Sequence, residues 1–120
     1  MFIEPTDANQ RLAIALGDPA GIGMEVTLKA LASPNCPSGM KPLLVGCRRS
    51  LEATHEQLRK HFKGPLADPR ELEVDDIPLS QPVQPGRPTP EGGAACFAWL
   101  TAATHHALEG KARALVTAPI

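Results

Sequence analysis

The sequence GDPAGIG at residues 17–23 decides the fold, because a short apolar run ends where it begins and a helical pattern starts where it stops. The preceding run, RLAIAL at residues 11–16, has the length of a buried strand and is too short for a core helix. Three glycines within this stretch allow sharp turns and close backbone contacts that side chains would prevent. The stretch therefore predicts a joint between a strand and a helix.

The helix expected from Ile22 onward carries Glu25 and Lys29 four residues apart, where they can form an ion pair. Its apolar contacts are expected from Ile22, Val26, Leu28, Ala30 and Leu31. Glycines before a helix leave its first N–H groups without side-chain partners, and such a terminus attracts anions and polar ligands. The joint is therefore a candidate binding site.

The sequence of this joint argues against some kinds of ligand. The glycine spacing is not G-x-G-x-x-G and no G-K-[ST] follows, so neither common nucleotide-binding fingerprint is present. Asp18 and Glu25 would repel a pyrophosphate, which favours a neutral hydroxyl or amide as the group that the loop contacts. The alternative is that Asp18 caps the helix and Glu25 interacts with its dipole, without any ligand. Residue chemistry alone leaves both interpretations open.

Composition excludes several classes of protein. The chain has 120 residues and a net charge of −1, with 3% aromatic residues and no tyrosine, so it lacks the basic stripe or aromatic platform of a nucleic-acid-binding protein. Residues 1–10 do not resemble a secretory signal, and no apolar run is long enough to span a membrane. Cys36, Cys47 and Cys96 form no C-x-x-C pair and suit reduced thiols. We therefore expect a cytoplasmic protein.

Strand and helix patterns alternate after the first helix. A buried strand is expected at 42–47 and a half-exposed edge strand at 71–74. Between them a helix is expected at 51–62, with an apolar stripe of Leu51, His55, Leu58 and Phe62. Residues 75–90 contain five prolines, which are compatible with a low-complexity linker or with an ordered but irregular crossing segment. The apolar residues Ile77, Leu79 and Val83 can anchor the segment and favour the ordered alternative.

The last helix has a strong start signal, in which Thr89 is the cap, Pro90 the first helical residue and Glu91 an acid at the positive end. It should run to about Glu109, with Trp99 in a packing role and a buried stripe of Phe97, Leu100, Ala103, Ala107 and Leu108. A final buried strand is expected at 112–117. This alternation predicts an α/β fold with a parallel-rich sheet and helices on both faces.

Parallel strands place their carboxyl ends at one edge of a sheet, where open α/β sheets bind ligands. The glycine loop and Thr117 should both lie at that edge, although Thr117 could instead only satisfy a hydrogen bond at the strand end. The four histidines have no chelating arrangement; His105 and His106, for example, are adjacent and point about 100° apart on a helix. No metal site is expected from these histidines.

Residues 12–26 (LAIALGDPAGIGMEV) and 114–120 (ALVTAPI) together resemble the 4-hydroxythreonine-4-phosphate dehydrogenase family of vitamin B6 biosynthesis. Two positions depart from the family pattern: Met24 replaces a usual proline, and Gly92 replaces a common asparagine. The joint is also similar to the nicotinamide-bordering loop of isocitrate and isopropylmalate dehydrogenases, whose fold this family shares. The resemblance covers only the N-terminal portion of such an enzyme.

The resemblance implies NAD as cofactor, with Gly17, Asp18, Gly21, Gly23 and Thr117 as cofactor-binding residues. It also implies a divalent metal (Zn²⁺, Mg²⁺, Co²⁺ or Mn²⁺) and a homodimer in the complete enzyme. The family's metal-binding histidines and phosphate-binding residues lie beyond this stretch. No catalytic residue and no metal ligand is therefore expected in this chain.

The implied reaction is oxidation of 4-phosphooxy-threonine, a phosphorylated hydroxy acid, with decarboxylation to 3-amino-2-oxopropyl phosphate in pyridoxal phosphate biosynthesis. Two alternatives stay open: a paralogue that oxidises threonate or erythronate phosphate, and a non-catalytic truncated fragment. Because the sequence stops on an apolar strand, residues 1–120 are expected to form a single incomplete α/β domain of a larger two-domain enzyme. The chain alone is expected to be inactive.

Overall fold

The computed structural model describes residues 10–119, so the expectations for the first nine residues and for Ile120 lie outside the described residues. Residues 11–119 form four strands and three α-helices. In chain order these are β1 (Arg11–Ala15), α1 (Gly23–Leu31), β2 (Lys41–Gly46), α2 (Arg48–His61), β3 (Glu73–Asp76), α3 (Pro90–Leu108) and β4 (Ala114–Thr117). A short 3₁₀ helix, Pro69–Glu71, precedes β3.

The four strands form one parallel sheet in the order β3-β2-β1-β4. The first strand lies in the middle, where Ala13 is in register with Leu43 on one side and Leu115 on the other. This position explains the uninterrupted apolar sequence of β1, because a central parallel strand is covered on both faces. The predicted α/β class with a parallel sheet is confirmed.

The helices cover both faces of the sheet. Right-handed crossovers place α1 and α2, which lead from β1 to β2 and from β2 to β3, on one face. The chain then returns past the whole sheet to reach β4, which places α3 on the opposite face. Side chains from all these layers meet in one apolar core, whose fully buried members include Leu16, Leu28, Leu44, Leu51 and Trp99.

The start of α3 follows its predicted capping pattern. The Thr89 hydroxyl accepts a hydrogen bond from the backbone N–H of Gly92 at 3.0 Å, and Pro90 is the first helical residue. Before this helix, residues 77–89 cross the molecule without regular structure, as expected from their prolines. Ile77 and Leu79 pack against the core and anchor this crossing segment.

The predicted apolar contacts of α1 are wrong at Ile22 and Val26, which are 59% and 41% exposed, and at Ala30, which is also exposed. The helix instead buries Gly23, Met24, Thr27 and Leu28. Gly23 sets this rotation, because its Cα packs against the carbonyl oxygen of Leu16 and must face the sheet. The predicted ion pair is confirmed, with 2.7 Å between Lys29 Nζ and Glu25 Oε2.

The predicted stripe of α3 is wrong at Phe97 and Leu108, which are 71% and 79% exposed. The helix buries Gly92, Cys96, Trp99 and Ala103 instead. Trp99 determines this face, because its ring is fully buried and its indole N–H donates to the carbonyl oxygen of Ile77 at 3.0 Å. The predicted packing role of Trp99 is confirmed.

The last strand is shorter and more exposed than predicted. β4 begins at Ala114, and its Val116 side chain is 43% exposed. The reason is its place at the edge of the sheet, where it pairs with β1 only among the described residues. No helix within residues 10–119 is both long and apolar enough to cross a membrane.

Candidate functional site

The carboxyl ends of β1 and β4 meet at the point where the connections of the sheet change direction. From β1 the chain turns towards β2 through α1, whereas it arrives at β4 through α3 on the opposite face. In open α/β sheets such a switch point leaves a crevice outside the strand ends, and ligands bind there. The glycine loop at 17–23 follows β1, and residues 117–119 follow the same edge from β4.

Gly17 brings these two segments into contact. Its φ of +80° is in the left-handed region, and a Cβ on this residue would collide with the carbonyl oxygen of Pro119. Close by, the N–H of Ala118 donates to the carbonyl oxygen of Ala15 at 2.9 Å and extends the pairing of the two strands. The glycine loop and the segment after β4 therefore form one continuous surface.

Gly23 holds the start of α1 against the end of β1. A Cβ at this position would overlap the carbonyl oxygen of Leu16 and press on the Cβ of Ala118 at 3.0 Å. Gly21 differs, because it is exposed and a Cβ there would meet only atoms of Asp18, its carbonyl oxygen at 3.3 Å and its Cβ at 3.9 Å. Gly17 and Gly23 thus shape the joint from inside, while Gly21 lies on its outer surface.

Asp18 forms a turn within the loop and does not cap the helix. Its Oδ1 accepts a hydrogen bond from the N–H of Ala20 at 2.8 Å, and its carbonyl oxygen accepts one from Gly21 N–H at 2.8 Å. The N-cap residue of α1 is Ile22, and no side chain caps this terminus. The interpretation of Asp18 as a helix cap is therefore wrong, since its carboxylate accepts a hydrogen bond from Ala20, two residues further along the same loop.

Thr117 ends β4 in register with Ala15. The residue is exposed, and its hydroxyl donates to the carbonyl oxygen of Ala118 at 2.7 Å. This bond satisfies a strand-end acceptor, as one of the two sequence interpretations expected. Since the hydroxyl oxygen can also accept a hydrogen bond, a ligand-binding role for Thr117 stays a prediction.

Two neighbours of the loop were missed from the sequence. Gly86, in the crossing segment, donates its N–H to the carbonyl oxygen of Ala20 at 2.7 Å and fastens that segment over the loop. Cys96 of α3 is buried, and burial raises the pKa of its thiol, with a further increase from the negative charge of Asp18. Residue 86 was readable as a turn glycine, but no sequence pattern places Cys96 next to Asp18.

A cavity of about 780 Å³ lies along the same edge of the sheet, between the start of α2 and the crossing segment. Its lining includes Cys47, Ser50 and Leu79. Burial raises the pKa of the Cys47 thiol, but hydrogen bonds from the Ser50 hydroxyl and from the backbone of Leu79, Ser50 and Arg49 outweigh this and lower it below its usual value. The cavity is separate from the glycine loop, which contributes no residue to its lining.

Within the part of the chain that the structure describes, no three histidine, cysteine or acidic side chains are grouped so that they could hold a metal ion. His106 pairs with a single carboxylate, with 2.7 Å between its Nε2 and Asp75 Oδ2. The adjacent His105 is exposed.

Comparison with known families identifies the chain. The family model described as pyridoxal phosphate biosynthetic protein PdxA matches residues 37–120, which is more than half of the sequence. The chain belongs to the PdxA family. The part of the chain that matches the family model begins after the glycine loop and includes the crossing segment, α3 and β4.

Individual relatives extend the similarity to that loop. A 4-hydroxythreonine-4-phosphate dehydrogenase from Synechococcus sp. (strain RCC307) is 59% identical over 110 residues, which are 92% of this chain and 33% of the relative. An alignment of that extent necessarily includes residues 17–23. A relative from Symbiobacterium thermophilum, provisionally named D-threonate 4-phosphate dehydrogenase, is 34% identical over 127 residues, with 95% of this chain and 37% of the relative covered.

Solved structures of the family share the fold. The crystal structure of 4-hydroxythreonine-4-phosphate dehydrogenase from Klebsiella pneumoniae superposes with a TM-score of 0.72 at 30% sequence identity, covering 92% of this chain and 37% of that one. The PdxA dehydrogenases have the isocitrate/isopropylmalate dehydrogenase-like fold, as the sequence predicted. The chain spans about a third of the length of the curated relatives named above.

Proposed function

We propose that this chain is the N-terminal portion of an NAD- and metal-dependent dehydrogenase that oxidises 4-phosphooxy-threonine, with decarboxylation to 3-amino-2-oxopropyl phosphate. One observation carries the proposal. The glycine loop lies at the switch point of the sheet, in a chain that is 59% identical to a named 4-hydroxythreonine-4-phosphate dehydrogenase. Because the similarity covers a third of that relative, the activity belongs to the complete protein and is proposed for it alone.

The loop fits the neutral amide end of NAD better than its charged pyrophosphate. Asp18 keeps a carboxylate beside the uncapped start of α1, and this charge disfavours a second anion at the same place. Gly21 and Thr117 are exposed at the same edge and offer backbone and hydroxyl groups to a neutral partner. We therefore assign Asp18, Gly21 and Thr117 to the cofactor-facing surface, with Gly17 and Gly23 holding its shape.

This surface would position the cofactor for the reaction. NAD, when bound, supplies the acceptor for the hydride that leaves the substrate alcohol. The protein's part is to fix the nicotinamide ring relative to that alcohol, and tightly tied backbone suits this task. The loop is held at Ala20, whose carbonyl oxygen accepts from the N–H of Gly86, and the strand end before it is held at Ala15, whose carbonyl oxygen accepts from the N–H of Ala118.

The residues that the structure describes do not fit a metal site, since their histidines, cysteines and acids form no group of three. We therefore assign no catalytic step to a metal within residues 10–119. Family resemblance supports metal ligands in the remainder of a complete protein and supports a homodimer there. A cytoplasmic location is part of the same proposal and agrees with the free thiols of Cys36, Cys47 and Cys96.

One relative supports an alternative substrate for the complete protein. The provisionally named D-threonate 4-phosphate dehydrogenase is 34% identical to this chain, against 59% for the relative named after hydroxythreonine phosphate. The two substrates differ in whether an amino or a hydroxyl group stands next to the carboxylate. The higher identity favours the amino compound.

The test is a substrate comparison with the complete protein encoded by the reading frame that contains residues 1–120. NADH formation should show a higher kcat/KM with 4-phosphooxy-threonine than with D-threonate 4-phosphate. The reverse order would support the sugar-acid alternative. Absence of NADH with both substrates, in a folded protein supplied with divalent metal, would overturn the proposal.

A further inference from the structure

A tight turn in the crossing segment lies against the glycine loop. It consists of Gln84, Pro85, Gly86 and Arg87, and the N–H of Arg87 donates to the carbonyl oxygen of Gln84 at 3.1 Å. Gly86 has a φ of +80°. Proline in the second position and a glycine of positive φ in the third are typical of a type II turn. Because the bond that closes the turn uses the N–H of its fourth residue, the N–H of Gly86 can donate outside the turn.

Two hydrogen bonds in sequence connect this turn to the carboxylate of Asp18. The N–H of Gly86 donates to the carbonyl oxygen of Ala20 at 2.7 Å. The N–H of Ala20 in turn donates to Asp18 Oδ1 at 2.8 Å. Ala20 is thus held through both of its backbone polar groups, and it is only 7% exposed. The position of the Asp18 carboxylate therefore depends on a residue of another segment.

Apolar packing holds the same two segments together at a second place. A Cβ on Gly92, at the start of α3, would lie 3.5 Å from both Pro19 Cγ and Val83 Cγ1. Pro19 belongs to the glycine loop and is buried, whereas Val83 belongs to the crossing segment and is half-buried. The glycine loop, the crossing segment and the start of α3 therefore meet around Gly92, and this contact supports the hydrogen bond from Gly86.

We propose that Gly86 is a positioning residue, which acts through Ala20 to hold the Asp18 carboxylate and the glycine loop in the orientation that binds NAD. The identity of the cofactor in this inference rests on the proposed function, whereas the link from Gly86 to Asp18 rests on the contacts described above. The turn suits this role because Pro85 and Gly86 set its shape locally, so little further ordering is needed to keep the N–H on Ala20. A turn that only reversed the chain would leave Asp18 unaffected.

The first experiment changes the turn in the complete protein and measures steady-state kinetics. Gly86→Ala disfavours the positive φ, so the N–H should move away from Ala20. A Cβ on Gly86 meets no atom within 4 Å, so the substitution causes no collision. We expect the KM for NAD to rise about 5-fold or more, as loss of one hydrogen bond implies, while the KM for 4-phosphooxy-threonine stays within about two-fold.

Gly39 provides the matched control, because its φ is +83° and a Cβ there also meets no atom within 4 Å. It precedes β2 and so lies at the amino edge of the parallel sheet, opposite the glycine loop. Gly39→Ala should leave both KM values within about two-fold. Gly86→Asn is the rescue variant, since asparagine tolerates a positive φ better than alanine, and it should return the KM for NAD to within about two-fold of its original value.

The second experiment detects movement of Asp18 without using activity. Burial raises the pKa of the Cys96 thiol, and the negative charge of Asp18 raises it further. A carboxylate that Ala20 no longer holds should turn towards water, so Gly86→Ala should lower this pKa and Gly39→Ala should not change it. The titration is followed by the carbon NMR signal of the Cys96 side chain, assigned with Cys96→Ser.

An unchanged Cys96 titration in Gly86→Ala would overturn the proposal, because Asp18 would then not depend on the turn. A shifted titration with an unchanged KM for NAD would overturn it as well, since the loop would move without affecting the cofactor. If the unaltered protein forms no NADH, the proposed function fails, and the Cys96 titration alone decides whether Gly86 positions Asp18.

Discussion

At Gly23, the backbone of a neighbouring element leaves no space for a side chain. Its Cα lies against the carbonyl oxygen of Leu16, which cannot move without disturbing the end of the central strand. We expect Gly23→Ala to lower the free energy of unfolding by about 2 kcal/mol or more, in the range of overpacked sites. Denaturant unfolding of the 120-residue chain measures this difference.

Gly93 provides the matched control, because a Cβ there meets no atom within 4 Å. Gly93→Ala lies inside α3 and should be neutral or stabilising by up to about 1 kcal/mol, since alanine has the higher helix propensity. Equal effects of the two substitutions would show that space at Gly23 is not limiting.

Asp18 carries the prediction about the proposed cofactor surface. Asp18→Asn keeps an oxygen for the Ala20 N–H, so the turn should survive while the charge is lost. In the complete protein we expect kcat/KM to fall about 10-fold or more if this group positions the cofactor. Steady-state kinetics with NAD as the varied substrate measures the effect.

Cys96 reports the loss of the charge at Asp18. Burial raises the pKa of its thiol and the Asp18 charge raises it further, so Asp18→Asn should lower that pKa while the circular dichroism of the protein stays unchanged. A lowered thiol pKa together with an unchanged kcat/KM would leave Asp18 as a turn residue with no part in the reaction.

Local chemistry made several single residues predictable. The spacing of Glu25 and Lys29 predicted their ion pair, and the pattern around Thr89 predicted its cap. The turn at Asp18 was not predictable, because an aspartate near a helix start can bond either to that helix or to its own loop. The choice depends on where Ile22 sits in three dimensions, and this follows from the packing of Gly23.

Among the elements, α3 depends most on one buried side chain. Trp99 is fully buried and donates its indole N–H to the carbonyl oxygen of Ile77, which ties the helix to the residue that follows β3. Trp99→Phe removes this donor and leaves a partly buried acceptor unpaired. We expect a loss of about 1–3 kcal/mol in the free energy of unfolding.

Phe97 is the aromatic control on the same helix. Phe97→Leu should change the free energy of unfolding by less than about 0.5 kcal/mol because its ring is exposed. If both substitutions cost the same, the indole hydrogen bond is not what fastens α3.

The rotation of the helices shows why periodicity succeeded for one element and failed for another. In α2, charged residues mark the outer side, and Leu51 was correctly placed in the core. In α3 the exposed Phe97 and Leu108 are as apolar as the buried Trp99, so hydrophobicity alone could not select a side. The position of β4 at the edge of the sheet could not be predicted either, since strand order depends on how the connection from β3 to β4 crosses the sheet.

At the scale of the whole molecule, we predict that the 120-residue chain alone does not oxidise 4-phosphooxy-threonine with NAD. Hydride transfer requires alcohol, metal and nicotinamide held in near contact, and a bound metal needs about three convergent ligands. The described residues offer no such group. The measurement is NADH formation by the purified chain with Zn²⁺, Mg²⁺ or Mn²⁺ supplied, and a rate above the blank that a chelator abolishes would contradict it.

The fold class and the location of the candidate site were predictable, since both follow from alternating strands and helices and from the rule for parallel sheets. The cofactor contacts of Gly17, Asp18, Gly21, Gly23 and Thr117 stay a prediction. Whether these residues contact the cofactor depends on the atoms that face them across the crevice. About two thirds of the length of the relative from Synechococcus sp. (strain RCC307) has no counterpart in this chain.

The central place of β1 has a consequence for how the chain folds during synthesis. Ala13 pairs with Leu43 at a separation of 30 residues (43 − 13) but with Leu115 at a separation of 102 (115 − 13). Closing the longer loop costs about 1.1 kcal/mol more in chain entropy, and β4 leaves the ribosome seconds later than β2 at ordinary elongation rates. A nascent chain shorter than about 114 residues therefore has one side of its first strand open, and chaperone binding at that stage would protect it from pairing with a neighbouring nascent chain.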